Sequence, residues 1–247
     1  MAEQTKVTGI TLSVYPIGEN DRRLTILTKE RGKSTVFARG CRRPTHPLFG
    51  VTAPLIYCEY MITEGRRYDY LNSAVCKDYF KEIKKDLEDI YYSTYFAEVV
   101  SYFTMEGQDA RDVLNLLYVP FAAMRKKLLS NQVIRRIFEL KIMQFNGIGM
   151  GVTSCLNCGR EDHLSVLSLR DGGVYCSDCG RQIHDGRPID WRVRKVLWYI
   201  SVVPLSRLYA FSMEEEVFTE LSWIVKQFMR LHLEHTFPAA KMLSMFE

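Results

Sequence analysis

The chain has 247 residues, 47% of them apolar, and carries 33 basic against 29 acidic side chains for a formal charge of +4. That size and composition suit one large or two smaller globular domains whose core needs neither disulfides nor metal. No apolar run reaches the roughly 18–20 residues that span a bilayer, and the charge excess is too mild to identify a partner unless the basic groups are concentrated.

The N-terminal MAEQTKV has no apolar stretch resembling a signal peptide. With seven cysteines, an odd number, the chain reads as cytoplasmic. Cys41, Cys58 and Cys76 fit no pattern and are expected to be free thiols serving as small buried apolar groups.

Five short strands are expected before residue 77. Val7, Ile10, Leu12 and Val14 mark the first, Leu24–Thr28 the second and Ser34–Ala38 the third, with Glu30-Arg31-Gly32-Lys33 as the turn between the last two. Val51–Ile62 is a longer apolar run broken early by Pro54, and Arg66–Leu71 is the last candidate. An open sheet this small would leave exposed edges, so closure into a small OB-like barrel over residues 1–76 is expected, with another small barrel type as the alternative. Gly40–Gly50, punctuated by two glycines and two prolines, reads as a flexible loop.

The period changes at Lys77. Tyr79, Phe80, Ile83, Leu87, Ile90 and Tyr91 follow helical spacing with charged residues between, predicting a helix from there to about Met105. Further helices are expected over Ala110–Leu117, with an extension to Leu129 bent or broken at Pro120, and over Gln132–Phe145. Beyond the cysteine module they resume over Trp191–Val202, capped by Asp190, then Glu215–Leu233 and Ala239–Met245. The fold class is α+β: a small barrel, then an all-helical domain over 77–247 with a four-cysteine zinc ribbon inserted at 152–182.

The ribbon is Cys155-Leu-Asn-Cys158 and Cys176-Ser-Asp-Cys179, each pair followed by a glycine. Two residues between thiolates let one tight turn aim both sulfurs at a single ion, and the two-plus-two spacing points to tetrahedral zinc. The trailing glycines can adopt positive φ and let the backbone curl around the metal. Leu164–Leu169 alternates as a strand, Gly172-Gly173 turns the chain, and Val174-Tyr175 leads back to the second pair. Four thiolates leave no position for water, so one structural Zn2+ is expected. His163 and His184 have the wrong spacing to replace a cysteine and read as surface residues.

The basic residues are concentrated early. Arg22, Arg23, Lys29, Arg31, Lys33, Arg39, Arg42 and Arg43 face a single acid, Glu30, between positions 22 and 43, and Arg66-Arg67 adds a later pair. Arginines on barrel strands can track a phosphate backbone. Phe37, Phe49, Tyr57 and Tyr60 are candidates either for base stacking or for the core. Two further basic groups are Arg125-Lys-Lys127 with Arg135, Arg136 and Lys141, and Arg187, Arg192, Arg194 and Lys195; helix-borne runs of this kind usually form solvated faces. None has the donor pattern of a base-reading helix, so binding is expected to be independent of sequence.

Catalytic motifs do not emerge. Gly147-Ile-Gly-Met-Gly151 follows a helix and lacks the lysine and hydroxyl of a phosphate loop, and neither HExxH nor GxSxG occurs. Asp109, Asp112, Asp185 and Asp190 fit turn and cap roles. The protein is not expected to be an enzyme.

Several segments, in order, resemble the bacterial RecO recombination mediators over essentially the full length. They are Gly9-Ile-Thr-Leu-Ser, Gly18-Glu-Asn-Asp-Arg-Arg-Leu-Thr-Ile-Leu-Thr, Arg31-Gly-Lys, Ala38-Arg-Gly40, Phe138-Glu-Leu, the two cysteine knuckles, and Arg230–Leu243. The resemblance implies an N-terminal OB-fold, a helical C-terminal domain often carrying zinc, and binding of single- and double-stranded DNA with annealing of complementary strands. It implies RecR and single-strand-binding protein as partners, RecA indirectly through its loading, no membrane association, and a nucleoid-associated location. The competing reading is a zinc-ribbon scaffold that binds only proteins.

Overall fold

The computed structural model describes residues 4–246. Five strands come first: β1 (Gln4–Ile17), β2 (Asp21–Thr28), β3 (Gly32–Ala38), β4 (Tyr57–Thr63) and β5 (Asp69–Asp78). They close into a barrel in the order β1-β2-β3-β5-β4, with β4 returning to β1. All pairings are antiparallel except β3 with β5. Closure follows from alternation. Val7, Leu24, Ile26, Val36, Cys58, Tyr60 and Ile62 point inward and are fully buried, whereas their strand neighbours are mostly partly exposed. Tyr60 belongs to this core, its hydroxyl 2.8 Å from Thr11 Oγ1 and donating to the Ile56 carbonyl.

The fifth strand starts and ends later than its sequence pattern indicates. Asn72, Ser73, Val75 and Lys77 are exposed, so its apolar face is diluted and only pairing with β4 identifies it. The 40–50 loop is likewise anchored. Cys41, Leu48 and Val51 plug into the barrel core, and Arg42 N–H donates to the Asn20 carbonyl at 2.9 Å.

The helix expected from Lys77 begins ten residues later, because β5 runs to Asp78 and Asp86 is extended. Asp86 caps α1 (Leu87–Phe103) by accepting the Glu88 N–H, and Glu88 and Asp89 occupy the positive first turn. Helix α2 (Arg111–Lys126) passes through Pro120 without ending. Helix α3 (Asn131–Phe145) is capped by Ser130. The ribbon follows as β6 (Leu164–Ser168), β7 (Gly173–Cys176), the single turn α4 (Ser177–Gly180) and β8 (Arg187–Pro188), in sheet order β7-β6-β8. Then come α5 (Trp191–Val202), α6 (Glu215–His232) and α7 (Pro238–Leu243). Asp190 caps α5 through the Arg192 N–H at 2.7 Å.

The chain divides into two compact units, one running to Phe121 and resuming at Phe237, the other Ala122–Thr236. The first contains the barrel, α1 and α7. In it Phe237 packs edge-on against Tyr95 and Tyr102, and Glu98 accepts the Ala239 N–H. The second is built on α3, whose charged residues are internal rather than a solvated face. Fully buried Glu139 accepts from Arg135 and Arg136, both at 2.8 Å. Lys141 donates to the carbonyls of Ile200 and Ser201 at the end of α5. No described helix is long and apolar enough to cross a membrane.

Candidate nucleic-acid interface and metal centre

Strand register builds a surface band on the barrel. Tyr15 lies opposite Arg23 across β1–β2, Arg23 opposite Phe37 across β2–β3, and Phe37 opposite Tyr70 across β3–β5. Directly opposed residues share a face, so four strands contribute one row, Tyr15–Arg23–Phe37–Tyr70. Tyr15 is 52% exposed. Cations lie over its rings: Arg23 at 5.1 Å from the Tyr15 centroid and Arg39 at 4.3 Å from Tyr70. Tyr68 packs on Phe37 at 4.8 Å and carries Arg67 at 5.5 Å. Beside the row is a groove of about 510 Å³ whose lining includes Arg23, Arg31, Lys33, Arg66, Arg67 and Tyr68, with Glu30, Asp69 and Glu106 as its acids.

The eight sequence-predicted basic residues separate by what they touch. Arg23, Arg39, Arg42 and Arg43 are exposed, and Lys29 is half-buried. Arg42 also donates to the Gly18 carbonyl. Arg22 reaches inward to the Thr52 hydroxyl at 2.7 Å and lies over Phe49, holding the 40–50 loop down. Arg31 is paired with Glu64 and Asp69, at 3.2 and 3.1 Å. Lys33 Nζ donates to the Ser101 carbonyl at 2.6 Å. Around it, Gly32 bridges Glu106, Gly107 N–H donates to the Arg31 carbonyl, and Lys33 N–H donates to the Met105 carbonyl. The Arg31-Gly-Lys33 tip is thereby a dock for the segment after α1.

Of the four candidate aromatics, Phe37 lies in the band and Tyr60 in the core. Phe49 sits under Arg22, and Tyr57 packs edge-on against Tyr118. Sequence reasoning passed over Tyr15, Tyr68 and Tyr70. The signal for Tyr15 and Tyr70 is an aromatic on the polar face of a strand, which needs the register to be legible, and Tyr68 lies in the turn just before β5. The later basic groups are mostly committed elsewhere. Arg192 pairs with Asp190, Glu214 and Glu216, and Arg187 stacks on Trp223 at 3.8 Å.

The four cysteines converge. All four sulfurs lie within 4.8 Å of one another, with Cys158 and Cys176 at 3.8 Å. A tetrahedron of Zn–S bonds of about 2.3 Å has edges of about 3.8 Å, so the set fits one metal ion. Gly159 takes φ +73°, as the tight first knuckle requires. Gly180 serves differently: a Cβ there would lie 2.5 Å from Val166 Cγ2, so its role is close packing of the second knuckle on β6. Burial raises the Cys155 thiol, but N–H groups of Cys158, Cys176 and Asn157 outweigh it and bring the group down to about 6. Asn157 Nδ2 donates to Cys179 Sγ at 3.3 Å. His163 and His184 are exposed and outside the set. Asp185 is a staple, accepting from Ser168 Oγ and the Arg170 N–H.

Comparison with known proteins agrees with this architecture. Residues 1–80 match the family model described as recombination protein O N terminal, and residues 84–241 its C-terminal counterpart. A DNA repair protein RecO of Acetivibrio thermocellus is 30% identical over 233 residues, covering 94% of this chain and 93% of the relative. That of Caldicellulosiruptor bescii is 30% identical over 93% of each chain, and that of Alkaliphilus metalliredigens 28% identical over 93% of this chain and 94% of the relative. With both family models matched in order over a barrel and a four-cysteine helical unit, the chain belongs to the recombination protein O family.

Proposed function

We propose that this protein is a non-catalytic mediator of DNA repair and homologous recombination that binds single- and double-stranded DNA and anneals complementary strands. The observation that carries the reading is the Tyr15–Arg23–Phe37–Tyr70 row, three aromatic rings and one arginine contributed by four strands, with Arg39 over Tyr70 and Arg67 over the adjoining Tyr68. Arginines neutralise phosphates without reading bases, and every base has a face to stack, so such a band holds a strand regardless of sequence. Arg23, Lys29, Arg39, Arg42 and Arg43, with Arg66 and Arg67, make the phosphate contacts. Arg22, Arg31 and Lys33 keep the loop and hairpin that present them in place. A strand held by its backbone keeps hydrogen-bonding edges free for a complement.

In this reading Cys155, Cys158, Cys176 and Cys179 hold one structural Zn2+, which clamps the ribbon at 152–182. The closed thiolate set supports a structural rather than a catalytic ion. RecR and single-strand-binding protein are the partners, and RecA loading is the outcome. The barrel is the DNA-binding domain and the helices carry the ribbon.

The test is annealing of complementary strands coated with single-strand-binding protein. Added protein should accelerate annealing without nucleotide consumption, and the acceleration should disappear when Arg23, Arg39 and Arg67 are replaced by alanine. No DNA affinity at low salt, with RecR present, would leave a protein-binding scaffold instead.

A further inference from the structure

The β4–β5 pairing sets Cys58 directly opposite Cys76. Cys58 is fully buried in the barrel core, and Cys76 is half-buried and packed against that same core, so both side chains lie on the inner face. Opposed residues in an antiparallel pair hold their Cα atoms about 4.5–5.5 Å apart, within the separation a disulfide bridges. Neither cysteine belongs to the four-cysteine set, and neither lies in the aromatic–arginine row.

We propose that Cys58 and Cys76 are a reversible redox couple, closed to an interstrand disulfide by peroxides and reopened by thiol reductants. The two sulfurs are not equivalent. Cys76 has the solvent access, so it reacts first: its thiolate attacks one peroxide oxygen, giving a sulfenic acid and releasing hydroxide. The Cys58 sulfur then attacks the Cys76 sulfur, the S–S bond forms, and the sulfenic hydroxyl leaves with the Cys58 proton as water. Two thiols and one hydrogen peroxide become one disulfide and two waters, the sulfur pair losing the two electrons that the peroxide gains. Burial, with Cys76 adding to it, pushes the Cys58 thiol up to about 12, so Cys58 is not the first attacker and its attack on the Cys76 sulfur is the slower step. The Cys76 contribution ends once that sulfur is a neutral sulfenic acid.

The resulting covalent loop encloses the β4–β5 turn with Arg66, Arg67 and Tyr68. Cys58 and Cys76 lie near the opposite end of that strand pair from the turn. The disulfide is therefore expected to raise the unfolding midpoint of the barrel without changing DNA affinity.

The test is peptide mapping without reductant on full-length, metal-bound protein after a hydrogen peroxide titration and alkylation in denaturant. The expected product is one cross-linked peptide pair, Cys58 to Cys76, two hydrogens lighter and reversed by dithiothreitol. With Cys58→Ala, Cys76 should instead accumulate as a sulfenic acid trapped by dimedone. With Cys76→Ala, Cys58 should stay reduced. Over-oxidation of Cys76 in the wild-type chain without a cross-link, or disulfides to Cys41 or the knuckles while Cys58 and Cys76 remain alkylatable, would overturn the couple. The mapping needs only the wild-type protein, so a variant that folds poorly leaves the decision intact.

Discussion

Replacing Arg23, Arg39 and Arg67 together with alanine tests the barrel interface most directly. Arg23 and Arg39 are exposed, and all three lie over tyrosine rings rather than in the bonds that hold the barrel together. Folding stability should therefore move by no more than about 0.5 kcal/mol for each. Each phosphate neutralised on a single strand contributes about 0.7 to the slope of log affinity against log salt, so losing three contacts should flatten that slope by about 2. The same arithmetic weakens binding about 100-fold at ~0.1 M salt and about 10-fold at ~0.3 M. The assay is fluorescence anisotropy on two unrelated single strands over a salt series, with circular dichroism to verify folding. Both strands should lose affinity equally. A large loss with the slope unchanged, or a loss confined to one sequence, would refute backbone neutralisation as the mechanism.

Four further outcomes follow from particular residues. Cys155→Ser should reduce zinc from one per chain to near zero, and limited proteolysis should then cut within 152–182 while the barrel resists; a metal-free wild-type protein with an intact ribbon would contradict the zinc site. Because protons compete with the metal for thiolates, and N–H groups hold the Cys155 thiol below its ordinary value, zinc should be retained at neutral pH and released on acidification, seen with a chelating dye. Gly32→Ala would set a Cβ 2.4 Å from the Gln108 carbonyl oxygen at φ +64°, so a loss of about 2 kcal/mol or more is expected in urea unfolding, and a neutral result would remove the docking role of the hairpin tip. Glu139→Gln takes the charge from a fully buried carboxylate held by Arg135 and Arg136, with an expected cost of about 3–5 kcal/mol; a stability change below about 1 kcal/mol would mean the charge is not needed there.

Features that are local in the chain were readable as written. The two knuckles bring their sulfurs together because two intervening residues make one turn, and Asp190 caps α5 because a cap acts on its own first turn. Strand β3 and helix α5 stand where alternation and helical period put them. The limits of the helix before Met105 were less legible. Tyr79, Phe80 and Ile83 share spacing with Leu87 and Ile90, but β4 claims the chain through Asp78, and a period cannot show that competition.

The amino-acid sequence by itself determined the strands of a small barrel, a helical part and two paired-cysteine knuckles, because each depends on periods or spacings shorter than one element. Tertiary structure decided which basic residues are bound to partners within the fold. Arg22, Arg31 and Lys33 look like their neighbours in the chain, yet they are drawn to Thr52, to Glu64 and Asp69, and to the Ser101 carbonyl. Tyr15, Arg23, Phe37 and Tyr70 are scattered along the chain and become one row only through strand register. The physical reason is the same in both cases. A side chain's partners are set by which strands lie side by side, and that is a property of the closed barrel, not of any one of its segments.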